Sequence, residues 1–376
     1  MPLQNKNILI ISPESWGTSF VSKHHYAQLL AEHGNKVFFL NPPSPKLEGV
    51  RTTRISEQLS VIDYAPAVRG TNRLWRFLRD FFNRMTVYKI QTESIRCQLD
   101  IVWSFDPFRF QNLQQWGAAC AIYHPVDVHQ CPLELDVVRS ADMVFSTAQL
   151  LLDRFGDVPE RTTPRMLVHH GLAQHFLQPV AQPQQWQDQF RLRVGCVGNV
   201  LYPYMDRATL LRIIAQHGDV GFYFVGPYEN SNLSPQQAAE DKAFIDQLRA
   251  APNVQLVGAR PSAELPAYLA SFDLFLMCYK GDELRAEMAN PHKLLEYLST
   301  GKCVVSHYID EYKNRKQLLQ MAQRNADLPQ LFADTLADLP ALNSSERQAA
   351  RRRFAEENTY EKQLQRIETQ LEIMGM

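Results

Sequence analysis

The sequence predicts an α/β fold built from two doubly wound, Rossmann-like domains in series. Short β-branched and aromatic runs alternate with helix-spaced segments up to about residue 172. The alternation stops in a Pro- and Gln-rich stretch and resumes at about residue 191. The length, 376 residues, is more than one ordinary core organises and suits two.

The elements follow in order. NILIIS (7–12) is a continuous apolar run, which marks a strand buried on both faces. SKHHYAQLLAEHG has helical spacing and stops at Gly34, a residue suited to close a helix. KVFFL (36–40), DIVWS (100–104), CAIYH (120–124), DMVFS (142–146) and RMLVHH (165–170) repeat the strand pattern. Strands alternating with helices imply parallel sheets. QPVAQPQQWQDQF (178–190) holds two prolines, many glutamines and no strand pattern, and reads as linker. The second series runs through LRVGCVG (192–198), the helix MDRATLLRIIAQHG, VGFYFVG (220–226), NVQLVG (253–258), DLFLM (273–277) and KCVVS (302–306). The predicted boundaries are a first domain at 1–172, a linker at 173–190 and a second domain at 191–343. A terminal helix follows at 344–376, capped by Ser344 or Ser345, with a break near 358–359. Open α/β sheets bind ligands beyond the carboxyl ends of their strands, so two such domains face to face make a central cleft.

Composition narrows the function. Lys plus Arg is 39 and Asp plus Glu is 40, a formal net charge of −1, so the whole chain has no electrostatic case for nucleic acid. No apolar run approaches the ~20 residues needed to span a bilayer. The start, MPLQNKNILIIS, has too short an apolar core for a signal peptide. The six cysteines are scattered without a CxxC pair, which favours reduced thiols in a cytoplasmic protein.

The most informative stretch is NPHKLLEYLSTGKCVVS (290–306). Asn290 suits an N-cap and Pro291 the first helical position, so the helix predicted at 290–300 starts after the loop YKGDELRAEMA. Its free N–H groups and positive dipole end favour an anion such as a phosphate. Lys293 in the first turn adds a point charge. Glu296, one turn on, can accept hydrogen bonds from a ribose diol.

Here the sequence resembles GT-B-fold glycosyltransferases, near family 4 and its bacterial polysaccharide relatives. LLEYLSTGKCVVS is similar to the donor-binding segment of that family. VGCVGNVLYPYMDRATL resembles the segment that opens the donor domain, and VGARPSAELPAYLASFDLFLM the one that contacts the base. HHGLAQHF resembles the crossing from acceptor domain to linker, and the terminal helix the one that folds back over the first domain. The resemblance implies that Glu296 binds the nucleotide ribose and Lys293 the diphosphate. Gly198 and Asn199 approach the phosphates by backbone, and Arg260 holds base or ribose. Asn290, His292 and Leu294 complete the implied donor set. The sequence departs from the pattern at Met288, where family 4 members usually carry a glutamate; Glu287 is one residue off. The Arg and Lys that often follow the first donor-domain strand are also missing from 198–207.

In the first domain, CAIYHPVDVHQ puts His124, Asp127 and His129 just past a strand's carboxyl end. Sugar transfer needs the acceptor proton removed, and a carboxylate or imidazole there can do it. Asp127 is the first choice and His124 the second; capping or turn bonding is the bland alternative. As metal ligands the three lack a second half. No DxD pair occurs, in keeping with metal-independent transfer. The loop SPESWGTSFVSKHHYAQ lacks GxGxxG but carries Trp16, Ser19, Ser22, Lys23, His24 and His25 near a helix start, which suits an acceptor phosphate or sugar.

Residues 69–96 hold seven basic residues against Asp80 and Glu93, a net +5 over 28 residues. Within them Leu74, Phe77, Leu78, Phe81, Phe82 and Met85 form one helical apolar stripe, with Trp75 at its edge. Either the stripe packs on the sheet with solvated arginines, or the helix makes peripheral contact with an anionic membrane.

The expectation is a glycosyltransferase that moves a sugar from a nucleotide-diphosphate sugar, UDP-linked, to a glycan or lipid-linked glycan in cell-surface polysaccharide synthesis. It uses no cofactor or metal. It works in the cytoplasm, at the inner membrane face if the basic helix is a membrane contact. An epimerase of the same fold and a non-catalytic binding relative are the alternatives.

Overall fold

The computed structural model describes residues 3–17, 20–44, 46–156, 163–229 and 235–375. Ser19 of the predicted acceptor loop lies outside them. The chain divides into two compact units, Met1–His170 with Tyr360–Met376, and Gly171–Thr359.

Unit 1 opens with β1 (Asn7–Ile11), α1 (Ser22–Glu32), β2 (Lys36–Leu40), β3 (Val50–Arg54), β4 (Leu59–Tyr64) and α2 (Arg76–Ile90). It continues with β5 (Ile101–Ser104), β6 (Cys120–Tyr123), α3 (Glu134–Ser140), β7 (Met143–Ser146), α4 (Gln149–Asp153) and β8 (Arg165–Leu167). The sheet order is β3-β4-β2-β1-β5-β6-β7-β8. Every pairing is parallel except β3 with β4. β1 lies at the centre, and Ile8, Leu9, Ile10 and Ile11 are fully buried, as a strand covered on both faces requires. The β3–β4 hairpin escapes the sequence reading because β3, VRTTR, is a polar edge strand with four exposed residues.

Unit 2 holds β9 (Leu192–Val197), α5 (Arg207–Gln216), β10 (Val220–Val225), α6 (Pro235–Ala250), β11 (Val254–Gly258), α7 (Leu265–Ala270) and β12 (Leu274–Met277). After these come α8 (Lys293–Ser299), β13 (Cys303–Ser306), β14 (Gln320–Met321), α9 (Leu328–Ala337), α10 (Leu339–Leu342) and α11 (Ser345–Glu356). Its sheet is parallel throughout, in the order β11-β10-β9-β12-β13-β14. The two-residue β14 is too short to leave a pattern in the sequence.

Two boundaries differ from expectation. The predicted linker at 173–190 packs into unit 2. Phe176, Leu177 and Trp186 lie against a core cluster there, the Trp186 indole donates to Ser271 Oγ at 2.9 Å, and Gln184 N donates to Ala267 O at 2.9 Å. Its polar composition concealed three aromatic and aliphatic anchors. The terminal segment breaks near 358–359 as expected, but its two helices part between the units. α11 stays in unit 2, where buried Arg351 donates to Leu318 O (2.9 Å) and Gly301 O (3.0 Å). Only α12 (Tyr360–Ile373) returns to unit 1, burying Leu364, Ile367 and Leu371. There Tyr360 stacks on His25 at 4.4 Å, and Glu368 accepts from Leu3 N at 2.9 Å.

Candidate functional site

In unit 2, three neighbouring strands end in glycine: β9 at Gly198, β10 at Gly226 and β11 at Gly258. All three have positive φ, at 138°, 159° and 84°. Gly198 N donates to Val225 O, and Gly226 N to Gly258 O, each at 3.0 Å. A Cβ on Gly226 would lie 1.7 Å from Gly198 O, so only glycine lets these strand ends approach. The result is a bare backbone edge. Asn199 turns the chain away from it by accepting Leu201 N on Oδ1 at 2.9 Å and Tyr202 N on its carbonyl at 3.1 Å.

α8 is fastened to the end of β9. The Tyr297 hydroxyl accepts from Val197 N at 2.8 Å and donates to Val197 O at 3.0 Å, and its ring stacks on Phe275 at 4.2 Å. Lys293 and Glu296 stand on the first turns of this same helix. Lys293 Nζ donates to both Glu296 carboxylate oxygens, at 3.0 and 3.1 Å. Glu296 is 9% exposed. Burial raises its pKa, and the Lys293 ammonium opposes the rise.

The start of α8 corrects the capping expectation. The helix begins at Lys293, the cap position is His292 in helical backbone, and no side chain caps it. Leu294 N and Leu295 N bond to Pro291 O and His292 O in tight turns. Asn290 emerges from successive turns through 281–288 and not from an extended loop, which is the backbone an N-cap needs. α8 has seven residues, so the case for an anion here rests on Lys293 rather than on a helix dipole. Leu294 is fully buried, and Met288 is also buried, 3% exposed. Arg260 lies exposed past Gly258, its guanidinium 5.6 Å over the Tyr268 ring.

One neighbour of this site was missed. His175, in the supposed linker, accepts or donates with Ser262 Oγ at 3.0 Å. Its pKa is lowered by burial and also by the charge of Lys293. The segment HHGLAQHF carried that signal.

Unit 1 builds its strand ends differently. Past β1, Lys23 is 1% exposed and ion-paired to Glu14. Past β5, Arg109 pairs with Asp106 and donates to Asn41 O and Tyr64 Oη, each at 3.0 Å, and to Ser12 O. That one guanidinium ties together the ends of β1, β2, β4 and β5. The sequence reading missed Arg109 and Asp106, which FDPFRF carries as an i,i+3 pair.

His124 and Asp127 prove unlike each other. His124 is 1% exposed, stacked with Trp103 at 5.8 Å and Phe105 at 4.9 Å. Neither ring nitrogen has a hydrogen-bond partner among the described residues. Burial pushes its pKa down to about 3, so it is neutral at pH 7 and a weak proton acceptor. The structure therefore does not support His124 as a base; its nitrogens can still bond a ligand that reaches them. Asp127 is exposed in the loop after β6, and no described side chain pairs with its carboxylate. Behind them, Ser22 Oγ bonds both His170 Nδ1 and Tyr360 Oη at 3.2 Å. Among the described residues no group of three His, Cys, Asp or Glu side chains is arranged to hold a metal.

Residues 191–339 match the family model described as glycosyl transferases group 1. No curated protein matches the sequence. Among solved structures, the chain is similar to sucrose-phosphate synthase from Thermosynechococcus elongatus, with a TM-score of 0.71 at 13% identity over 98% of this chain and 99% of that one. OtsA gives 0.69 at 11% identity over 97% and 99%. HepE from Anabaena in complex with UDP gives 0.64 at 14% identity over 97% and 99%. The fold is that of the GT-B structures, and the match to glycosyl transferases group 1 lies within unit 2.

Proposed function

We propose that this enzyme transfers a sugar from a nucleotide-diphosphate sugar, UDP-linked, to a glycan or lipid-linked glycan acceptor in cell-surface polysaccharide synthesis, without a metal, on the cytoplasmic side. Unit 2 holds the donor and unit 1 the acceptor. The observation that carries this reading is the ion pair of Lys293 with buried Glu296, on the helix that Tyr297 fastens to the end of β9. A diphosphate draws Lys293 Nζ off the carboxylate, and a ribose diol donates to the Glu296 oxygens that Lys293 leaves. The bare backbone at Gly198 and Asn199 lets phosphate oxygens come close without a side chain in the way. Asn290, His292 and Leu294 position the pair, and Arg260 with Tyr268 offers a face for the base. UDP-bound HepE and a trehalose-6-phosphate synthase with UDP-2-fluoro glucose support a UDP-linked donor.

Asp127 takes the acceptor proton, because its carboxylate is exposed where His124 is buried and neutral. Lys293 stabilises the charge that grows on the departing diphosphate. The test is thermal denaturation against UDP, GDP, ADP, CMP and dTDP. A ligand at 100 times its Kd stabilises a fold by about 2.7 kcal/mol. UDP is expected to raise the midpoint of the wild type and leave Lys293→Ala/Glu296→Ala unmoved. A shift that survives both substitutions would refute the donor assignment.

A further inference from the structure

α2 turns its apolar stripe away from the sheet, against the first of the two readings that the sequence leaves open. Its inward face is largely polar. Arg79 is 3% exposed and donates to Asp136 at 2.7 Å; Asn83 donates to Gln111 at 3.4 Å. Thr86 Oγ1 accepts from Ala67 N and donates to Phe82 O, each at 3.0 Å. Only Val87 and Ile90 bring buried aliphatic surface to the core. The apolar stripe faces outward instead. Phe77 is 63% exposed, Phe81 57%, Met85 48% and Tyr88 68%, at i, i+4, i+8 and i+11 on one face. Trp75, just before the helix, is 76% exposed. These five include four of the five most exposed large apolar side chains among the described residues, the other being Ile373.

The exposed charges flanking this stripe are mostly basic. Arg73, Arg76 and Arg84 are exposed beside it, and no carboxylate of the described residues lies within ion-pair distance of them. Residues 69–96 sum to +5 in a chain whose total is −1, but that sum includes Arg79, which faces inward and pairs with Asp136. Water does not account for exposed aromatics, and a second copy does not fit either. A two-fold contact through this face would set the arginines of one copy against those of the other. Apolar rings ringed by uncompensated cations match one environment, the headgroup boundary of an anionic bilayer.

We propose that α2 and Trp75 form a docking surface for anionic lipid. Phe77, Phe81, Met85 and Trp75 enter the acyl boundary, and Arg73, Arg76 and Arg84 pair with headgroup phosphates. This deepens the acceptor reading above, since a lipid-linked acceptor presents its sugar at such a surface. Arg79 and Asn83 set the orientation by holding the polar face inward.

The experiment is co-sedimentation of the full chain with vesicles of phosphatidylcholine alone and of phosphatidylcholine mixed with phosphatidylglycerol. The wild type is expected to partition to the mixed vesicles only, more weakly as salt rises. Arg73→Gln/Arg76→Gln/Arg84→Gln should weaken partitioning on the order of a hundredfold. Phe77→Ser/Phe81→Ser should weaken it at least about tenfold. Both variants alter exposed side chains, so both should keep the UDP-dependent thermal shift, which separates failure of docking from failure of the donor site. No partitioning by the wild type, or equal partitioning by the variants, overturns the proposal. So does a dimer that Phe77→Ser/Phe81→Ser dissolves while vesicle binding persists, or RNA binding that outcompetes the vesicles.

Discussion

The two sheets share a parallel core and differ at their carboxyl ends. Unit 2 ends three adjacent strands in glycine and leaves backbone bare. Unit 1 ends its central strands in side chains: Lys23 with Glu14, Arg109 with Asp106, and the unpartnered His124. A bare edge suits a ligand that every relative must hold the same way, such as a diphosphate. An edge built of side chains can be recut for one acceptor at a time.

The sharpest way to break this contrast is at Gly226. Gly226→Ala drives a Cβ into Gly198 O and should cost about 3 kcal/mol or more in urea unfolding, with loss of the UDP shift. Ser12→Ala, at the end of β1, removes only hydrogen bonds to Glu14 backbone and should cost about 1 kcal/mol. Equal costs would show that the strand ends are built alike.

Next in size is Lys293→Ala, which leaves a buried carboxylate without its partner. About 2–4 kcal/mol should be lost at pH 7, and Lys293→Met/Glu296→Gln should recover most of it while still failing to bind UDP. If the double variant binds UDP, the pair is structural only.

The third prediction turns on His124. Unfolded, it takes up a proton near 6.5; folded, near 3. Its contribution is thus complete above about pH 6.5 and lost as pH falls toward 3. His170, lowered to about 4, acts in the same sense in unit 1, as His307 does in unit 2. His124→Phe swaps an unpartnered imidazole for an apolar ring, so it should stabilise the fold by about 1 kcal/mol at pH 7 and by more at pH 5. Urea midpoints at the two pH values read this directly, and a destabilised variant at both would reveal a hidden partner for the ring.

The smallest effect on stability belongs to Asp127→Asn. The side chain is exposed, so unfolding should change by less than about 0.5 kcal/mol. Transfer should nevertheless fall by about 10²-fold or more if this carboxylate is the base. A variant with unchanged turnover would move the proton elsewhere in unit 1.

The parallel core was legible because strands covered on both faces write continuous apolar runs, as NILII and VGFYFV do. The pairing of Lys293 with Glu296 was legible because the two lie three residues apart on one short helix. What stayed hidden depends on distant partners. Nothing near Arg109 announces that it meets Ser12, Asn41 and Tyr64. Periodicity found the stripe on α2 but not the side it faces, because Arg79 and Asn83 find polar partners far along the chain at Asp136 and Gln111. Asn290 and Pro291 looked like a helix start because local propensity cannot see the turns that precede them.

Unit 2 is one unbroken stretch, Gly171–Thr359, whereas unit 1 is completed by Tyr360–Met376. Synthesis on the ribosome therefore finishes the two in the reverse of their numbering. While unit 2 emerges, the first 170 residues wait with the seat of α12 open: Tyr26 lacks Tyr360, 5.5 Å away in the finished fold, and Leu3 lacks the Glu368 carboxylate. Domains fold as units during translation, and exposed apolar surface in the interval invites misassembly. α12 acts as a latch on the sheet of unit 1, so a ribosome that stops short of residue 360 releases a finished unit 2 attached to an unfinished unit 1.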